Sequence, residues 1–218
     1  MNAPVKTPRL AARAASIGFA EDFVPETEAA SIARRGAAEL ELPAVSQGAA
    51  AALSFLASAV RARAVVEVGT GAGVSGVALF AGMVPDGILT SIDTEAEHQT
   101  EARKAFIAMG VRPQRFRLIA GAALNVLPKL TDGVYDLVFI DGDILEYVEY
   151  VAQAERLLRR GGVLVENNAL WHDAIADQNN EDDEAVIIRE ALAAVTEAEG
   201  LRPLLIPLGE GLLAAVKA

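Results

Sequence analysis

Cysteine is absent from this chain of 218 residues, and aromatic side chains are scarce, with a single Trp and three Tyr. Without cysteine there can be no disulfide, no thiolate nucleophile and no cysteine-based zinc site, which is typical of proteins in the reducing cytoplasm. No apolar run approaches the roughly 20 residues that cross a bilayer, and the first residues lack the apolar stretch of a signal peptide. We therefore expect a soluble cytoplasmic protein.

Basic residues are also few. Nineteen Lys and Arg stand against 30 Asp and Glu, which gives a formal net charge of −11. Such an acidic surface favours solubility, and it disfavours nucleic acids and anionic membranes because both attract basic surfaces. The expected partner is a small molecule.

Hydrophobic residues are plentiful, at 52% of the chain, which is enough for one substantial core. Short β-branched runs alternate with helical patterns along most of the sequence. Such alternation implies a parallel sheet covered by helices on both faces, and hence an α/β fold. We predict strands at 64–68, 88–92, 115–119, 135–140 and 162–166, and helices at 74–82, 95–109, 122–130 and 147–159.

The two ends of the chain differ from this repeating pattern. Residues 1–20 are rich in Ala and Arg and are predicted to be mobile or loosely helical, and residues 1–44 are treated as a helical extension of a single domain at 45–218. Near the other end, Gly209-Glu210-Gly211 separates two apolar runs, which predicts a β-hairpin and an antiparallel end to the sheet. Further helices are predicted at 26–41, 49–59 and 182–198, and a flexible acidic loop beside the site at 176–184.

A glycine-rich turn joins the first predicted strand to the helix that follows it. The run Val65–Val68 leads into Gly69, Gly71 and Gly73. Glycine has no Cβ, so a ligand can approach the backbone of such a turn closely. Asp93 ends the next strand, about 20 residues beyond Gly73, where an acid can bind the hydroxyls of a ribose. The segment therefore predicts a site for a nucleotide-type cofactor.

A nicotinamide cofactor is one interpretation, because residues 71–76 match the G-x-G-x-x-G dinucleotide pattern. Three observations count against it. Glu67 would repel a pyrophosphate, the chain is short for a separate substrate domain, and polar residues also end two later strands, at 141–143 and 166–168. Because ligands of open α/β sheets bind at the carboxyl ends of the strands, these residues should converge on one crevice.

The sequence resembles the class I S-adenosylmethionine-dependent methyltransferases, and among them the small cation-dependent O-methyltransferases such as those of catechol and caffeoyl-CoA. The resemblance rests on residues 67–75, on 135–143 with Tyr147, and on 161–171. It implies a Rossmann-like, doubly wound, mostly parallel seven-stranded sheet with a C-terminal antiparallel hairpin and extra N-terminal helices. It also implies a homodimer.

The same resemblance implies the residues of the cofactor site. Glu67 and the backbone at Gly69 and Thr70 would lie near the amino-acid part of S-adenosylmethionine, Ser75 would bind its carboxylate, and Asp93 would bind its ribose. The ordinary alternatives are a helix-start serine for Ser75 and a helix N-cap for Asp93. The full expected set is Val45, Glu67, Gly69, Thr70, Gly71, Ser75, Asp93, Ala123 and Asp141.

The sequence departs from the family pattern at two catalytic positions. Asn167 stands where relatives have Asp, so a Mg²⁺ or other divalent site formed by Asp141, Asn167 and Asn168 would have lost one charge. The alternative is a polar network without metal. Ile144 replaces a lysine that can take the substrate proton, which makes His172 the candidate base.

The acceptor is expected to contact Asp141, Asp143 and Trp171, with Tyr147 and Tyr150 at its rim, whereas His98 is expected at the surface or the cofactor rim. By resemblance the protein transfers a methyl group to a hydroxyl of a small phenolic or catechol-like acceptor, with or without a divalent cation. The alternatives are an NAD(P)-dependent oxidoreductase and a protein that binds S-adenosylmethionine but no longer catalyses.

Overall fold

The computed structural model describes residues 8–218, and their side chains from residue 12 onward. It contains a seven-stranded sheet in the order β3-β2-β1-β4-β5-β7-β6, in which only the pairs that involve β7 are antiparallel. The predicted α/β fold with a C-terminal antiparallel hairpin is therefore confirmed. The strands are β1 (Ala64–Val68), β2 (Ile88–Asp93), β3 (Phe116–Ala120), β4 (Tyr135–Ile140), β5 (Leu158–Glu166), β6 (Leu201–Ile206) and β7 (Leu212–Lys217).

Eight α-helices accompany these strands within the described part of the chain. They are α1 (Pro8–Glu21), α2 (Glu28–Glu39), α3 (Gln47–Ala59), α4 (Val74–Gly82), α5 (Ala96–Ala108), α6 (Ala123–Val126), α7 (Tyr147–Leu157) and α8 (Asp183–Glu197). Ser46 and Thr27 cap α3 and α2 through their side-chain oxygens, which accept backbone N–H groups of the first turn. No helix among the described residues is long and apolar enough to cross a membrane.

Two predicted segments differ from the structure. The expected helix at 122–130 ends at Val126 and continues as a 3-10 turn, because Pro128 cannot supply the N–H that an α-helix needs. Strand β5 begins at Leu158 instead of residue 162, with an irregularity in its pairing to β4 between Tyr135 and Leu137. The first segment forms helix α1, whereas residues 1–7 lie outside the described residues.

The core lies in two layers, one on each face of the sheet. Successive residues of β5 alternate between them, with Val163 and Val165 in the layer under α2–α5 and Leu164 in the layer under α7 and α8. Helix α2 contributes the buried Ala29 and Ala33 to the first layer. Helices therefore pack on both faces of the sheet. The carboxyl ends of its parallel strands all lie at one edge.

Candidate active site

A cavity of about 920 Å³ lies at the carboxyl ends of the central strands. Open α/β sheets bind their ligands there, so the fold and the cavity agree. The segment before α3 and the turn of the C-terminal hairpin close its sides. The lining includes residues 42–46, 68–72, 92–94, 121–123, 141–144 and 167–168, together with Val74, Ser75, His98, Glu146, Tyr150, Trp171, His172, Gly209 and Glu210.

The glycine turn after β1 forms the floor of this cavity. Gly69 has φ +88°, and a Cβ there would lie 2.0 Å from the backbone oxygen of Asp141. Gly71 has φ +48° and no neighbouring atom within 4 Å of a Cβ, so its backbone is open to a ligand. Gly73, the N-cap residue of α4, is in the left-handed conformation. These φ angles, and the open space at Gly71, agree with the prediction that a ligand can approach the backbone of this turn.

Gly76, the last glycine of the dinucleotide-like pattern, serves packing. A Cβ at Gly76 would lie 2.5 Å from Cζ of Phe106, because α4 and α5 meet there. Close helix packing requires a glycine at this position whichever nucleotide binds, so the match to G-x-G-x-x-G does not by itself indicate a dinucleotide.

Glu67 does not line the cavity, contrary to the sequence interpretation. It is fully buried, and its two carboxylate oxygens accept the hydroxyls of Ser75 at 2.7 Å and Ser91 at 2.5 Å. Burial raises the pKa of Glu67 to about 7, partly offset by these two hydrogen bonds. Glu67 therefore lies behind the lining residue Ser75 and holds its hydroxyl. Its position also removes the argument that it would repel a pyrophosphate.

Asp93 lies at the cavity wall, at the end of β2. Its Oδ2 accepts the Gly71 N–H at 2.9 Å, and its Oδ1 accepts the Glu95 N–H at 2.9 Å and contacts Nδ1 of His98 at 3.1 Å. The carboxylate thus ties the glycine turn to the next strand and faces the same cavity. Helix α5 takes Glu95 as its N-cap residue, so Asp93 is not the cap. His98 lies at the rim.

The remaining predicted cofactor residues also surround the cavity. Val45, Thr70, Ser75 and Ala123 are buried or nearly so and line it. Thr70 is held by a hydrogen bond of 2.7 Å between its hydroxyl and that of Ser91. The cofactor set therefore converges on one space, with Glu67 as the exception.

Asp141, Asn167 and Asn168 meet at the tips of β4 and β5. Oδ1 of Asp141 accepts the side-chain amides of Asn167 at 2.9 Å and Asn168 at 3.2 Å. Burial raises the pKa of Asp141 to about 6, and the two amide hydrogen bonds oppose this rise. Within residues 12–218, Oδ2 of Asp141 has no protein hydrogen-bond partner, so it remains available to a ligand.

These three side chains fit a Mg²⁺ ion poorly, because they carry only one negative charge between them. Both asparagines present their N–H groups to the one carboxylate, and a divalent cation needs oxygen donors and negative charge at that point. Among the described side chains, no group of three or more His, Cys, Asp or Glu could hold a metal. The arrangement corresponds to the polar network that the sequence left as an alternative to metal.

The expected acceptor residues are only partly brought together. Asp143, Tyr150, Trp171 and His172 line the cavity. Tyr147 does not, because it is fully buried and its hydroxyl accepts the Asn168 amide at 3.2 Å. The acidic segment 176–184 contributes no residue to the lining.

Two acidic lining residues were not predicted. Glu146 accepts the hydroxyl of Tyr150, and Glu210 lies in the hairpin turn between β6 and β7. Glu210 is far along the chain from the other site residues, and only the flanking Gly209 and Gly211 indicated a turn there. The close approach of the hairpin to the cavity is a tertiary feature.

Comparison with known proteins decides the class of the protein. The model of the family described as O-methyltransferase matches residues 28–218. The chain belongs to the O-methyltransferase family. A protein of Mycobacterium sp. (strain JLS) that carries a provisional O-methyltransferase name is 46% identical to this methyltransferase over 203 residues, which cover 93% of the chain and 92% of the relative.

Solved structures agree with this membership. A Corynebacterium glutamicum protein superposes with a TM-score of 0.87 at 32% identity and covers 95% of the methyltransferase and 97% of its own chain. The O-methyltransferase TomG of Streptomyces achromogenes, which is involved in tomaymycin synthesis and was solved in complex with SAM (S-adenosylmethionine), has a TM-score of 0.84 at 28% identity and coverage of 94% and 96%. The nicotinamide-dependent oxidoreductase gains no support from these relatives.

Proposed function

We propose that this methyltransferase binds S-adenosylmethionine in the 920 Å³ cavity and transfers its methyl group to a hydroxyl of a small phenolic or catechol-like acceptor. The observation that carries the proposal is the convergence of the open glycine turn and the Asp93 carboxylate on one cavity. S-Adenosylmethionine supplies an activated methyl group on a sulfonium when it is bound, so the protein has mainly to orient the acceptor and exclude water.

The cavity suits an adenosyl cofactor. Gly71 and Gly121 line it, and neither has a neighbouring atom within 4 Å of a Cβ position, which leaves room against the backbone for a flat or extended ligand. We assign the ribose hydroxyls to Asp93, the amino-acid part to the region of Val45, Thr70 and Ser75, and the adenine to the region of Ala123. Ser75 is kept in place by Glu67.

The acceptor is assigned to the other end of the cavity, between the tips of β4 and β5. Oδ2 of Asp141 is available there to accept a hydrogen bond from a hydroxyl of a catechol-like acceptor other than the one that is methylated. Asp143 and Trp171, which follow β4 and β5 in the chain, also line the cavity. The side-chain amides of Asn167 and Asn168 donate to Oδ1 of Asp141. These hydrogen bonds fix the orientation of the carboxylate without a second charged group.

The decisive experiment measures transfer of a tritiated methyl group from S-adenosylmethionine to a panel of phenols and catechols, with absorbance of NAD(P)H followed in parallel. Labelled ether product from at least one member supports the proposal. Cofactor binding without transfer to any member would leave a binding protein, and oxidation of NAD(P)H would indicate the oxidoreductase.

A metal titration tests the polar network at Asp141. We expect no Mg²⁺ binding tighter than millimolar in calorimetry of the protein loaded with S-adenosylmethionine. Asn167→Asp adds a second carboxylate beside Asp141 and should create measurable Mg²⁺ binding, because charge and oxygen donors determine affinity for a hard cation. Equal, submillimolar binding by both proteins would contradict this interpretation of the network.

The sequence resemblance suggests the oligomeric state of the protein, and its composition suggests the cellular location. We propose a homodimer in the cytoplasm, with residues 1–44 as a helical extension of a single catalytic domain. Support for self-association comes from Phe19, Phe23 and Phe55, which are 71%, 70% and 72% exposed on α1, the segment after it and α3.

A further inference from the structure

Two histidines line the cavity, and one of them lies beside a carboxylate of the C-terminal hairpin. His172 lies in the loop after β5 and lines the cavity. Its backbone N–H donates to Oε2 of Glu210 at 2.7 Å, and its Nδ1 lies 3.1 Å from the same oxygen. Glu210 therefore binds the main chain of this residue and lies at ion-pair distance from its ring.

The loop around His172 is held in an uncommon conformation. Trp171, His172 and Asp173 have φ of +37°, +53° and +62°. A left-handed residue other than glycine costs about 1–2 kcal/mol, so three in succession persist only where the surroundings hold them. The Trp171 ring packs beside the imidazole, with 4.7 Å between the ring centroids.

The hairpin turn provides that support. The Glu210 carbonyl accepts the Leu170 N–H at 2.8 Å, and the Gly211 carbonyl accepts the Ala169 N–H at 3.0 Å. A Cβ on Gly211 would lie 2.6 Å from Leu170, so the turn and the loop are in direct contact. On the other side of the turn, Glu21 of α1 accepts the N–H groups of Gly209 and Gly48.

The contact with Glu210 determines which ring nitrogen of His172 is free. A carboxylate accepts but cannot donate, so the nitrogen beside it carries the proton. A proton on Nδ1, which lies 3.1 Å from the Glu210 carboxylate, leaves Nε2 as an unprotonated acceptor.

We propose that Glu210 is a positioning residue that fixes His172, through Nδ1, as the group that takes the proton of the acceptor hydroxyl. The proposal rests on the proposed methyl transfer to oxygen. As the hydroxyl oxygen forms a bond to the methyl carbon, the carbon–sulfur bond breaks and its electron pair stays on sulfur. The hydroxyl proton goes to Nε2, and the resulting imidazolium is paired with the Glu210 carboxylate.

The first test does not depend on turnover. The chain has only two histidines, so ¹⁵N NMR of the imidazole rings gives two sets of signals, and His98→Asn identifies those of His172. We expect His172 to be the Nδ1–H tautomer in the wild type and to lose this preference in Glu210→Ala. An Nε2–H tautomer in the wild type would overturn the proposal.

The second test uses rates with a catechol that the wild type methylates. His172→Ala should reduce kcat about 100-fold, in the range typical of a general base, and added imidazole should restore part of the loss. Glu210→Gln should reduce kcat about tenfold and leave the KM for S-adenosylmethionine unchanged, because it keeps the hydrogen-bond acceptor and removes the charge. Asp173→Asn, in the same turn but outside the cavity lining, is the matched control and should keep the wild-type rate.

The outcomes separate the two proposals. Full activity of His172→Ala, or a loss that imidazole does not restore, would exclude the imidazole as proton acceptor. If the wild type binds S-adenosylmethionine but methylates no phenol or catechol, the proposed acceptor is wrong, and the NMR tautomer still decides whether Glu210 positions the ring.

Discussion

At the residue scale, three buried or half-buried carboxyl groups behave differently because their neighbours differ. Asp93 has two backbone N–H donors and a histidine ring around it. Glu67 has two hydroxyl donors, one on each oxygen. Glu166 is fully buried, and neither of its oxygens has a partner among the described residues. Asp93 is therefore suited to bind a ligand, Glu67 to hold Ser75 in place, and Glu166 to retain a proton.

Asp93→Ala should weaken S-adenosylmethionine binding by roughly 1–3 kcal/mol, the typical effect of leaving buried hydrogen-bonding groups without a partner. Calorimetric titration measures this change, and circular dichroism checks the fold. Asp86→Ala, an exposed acid just before the other end of β2, is the control and should bind as the wild type does. An unchanged affinity in Asp93→Ala would mean that the ribose lies elsewhere.

Glu166 makes the stability of the protein depend on pH. Burial raises its pKa from 4.5 to about 8, so the folded protein keeps a proton that the unfolded chain loses. The stabilisation is complete below about pH 4.5 and is lost as the pH rises through about 8.

Glu166→Gln should therefore match the wild type near pH 5 and be more stable at pH 9. The gain should be on the order of a few kcal/mol, since one pKa unit corresponds to about 1.4 kcal/mol. Urea denaturation at the two pH values measures it, with Glu197→Gln on the exposed side of α8 as control. A pH-independent difference between wild type and Glu166→Gln would contradict the assignment.

At the element scale, the connection between β1 and α4 determines where the cavity lies. The connection needs glycine at Gly69, because a side chain there would collide with the backbone that follows β4. Glycine at Gly71 faces open space instead and leaves room for a ligand. The two positions have the same residue type for different reasons, packing in one case and ligand access in the other.

Gly69→Ala and Gly71→Ala separate these two reasons. Gly69→Ala places a Cβ 2.0 Å from the Asp141 backbone oxygen and should lower the free energy of unfolding by roughly 3 kcal/mol or more. Gly71→Ala has only its left-handed conformation to accommodate, at about 1–2 kcal/mol, and should fold but bind S-adenosylmethionine more weakly. Thermal denaturation and calorimetry distinguish the two, and equal stability of both variants would contradict the packing argument.

Elements with strong local patterns could be predicted from the sequence. The β-branched run before Gly69 and the wholly apolar run 135–140 form strands where expected. The early start of β5 was missed, because Arg159, Arg160 and two glycines have the composition of a turn. Leu158 pairs with Tyr135 of β4 ahead of the irregularity that these residues form, and such a long-range contact has no local signal.

The site was predictable where its residues lie at the end of a strand, as Asp93 does, or directly after one, as Asp141 does. Glu67 was misplaced because its hydroxyl partner Ser91 comes from the neighbouring strand β2, and such a contact has no signal in the local sequence. Glu210 was missed for the same reason, since it reaches the cavity only through the fold of the last hairpin.

At the scale of the whole molecule, the two faces of the sheet are covered while parts of the N-terminal helices stay apolar and exposed. Phe19 and Phe23 lie close together, with 6.0 Å between their ring centroids, at the end of α1 and just beyond it. An apolar patch of this kind on an otherwise acidic protein is typical of an interface.

The double substitution Phe19→Ser/Phe23→Ser should convert the proposed dimer to a monomer, because the patch would lose its largest apolar side chains. Light scattering after gel filtration measures the mass, which should fall from twice that of the chain to that of one chain. Val134→Ser, an exposed apolar residue before β4, is the control. A wild type that is already monomeric would contradict the proposed assembly.

The contacts of Glu21 have a practical consequence for work with shortened protein. A version trimmed to begin at α2 would retain the whole segment that defines the family, residues 28–218, and its sheet would be complete. It would nevertheless lack the carboxylate that fastens the last hairpin to the start of α3. The turnover rate of such a fragment would therefore be lower than that of the intact enzyme, even if the circular dichroism spectrum of the fragment looked native.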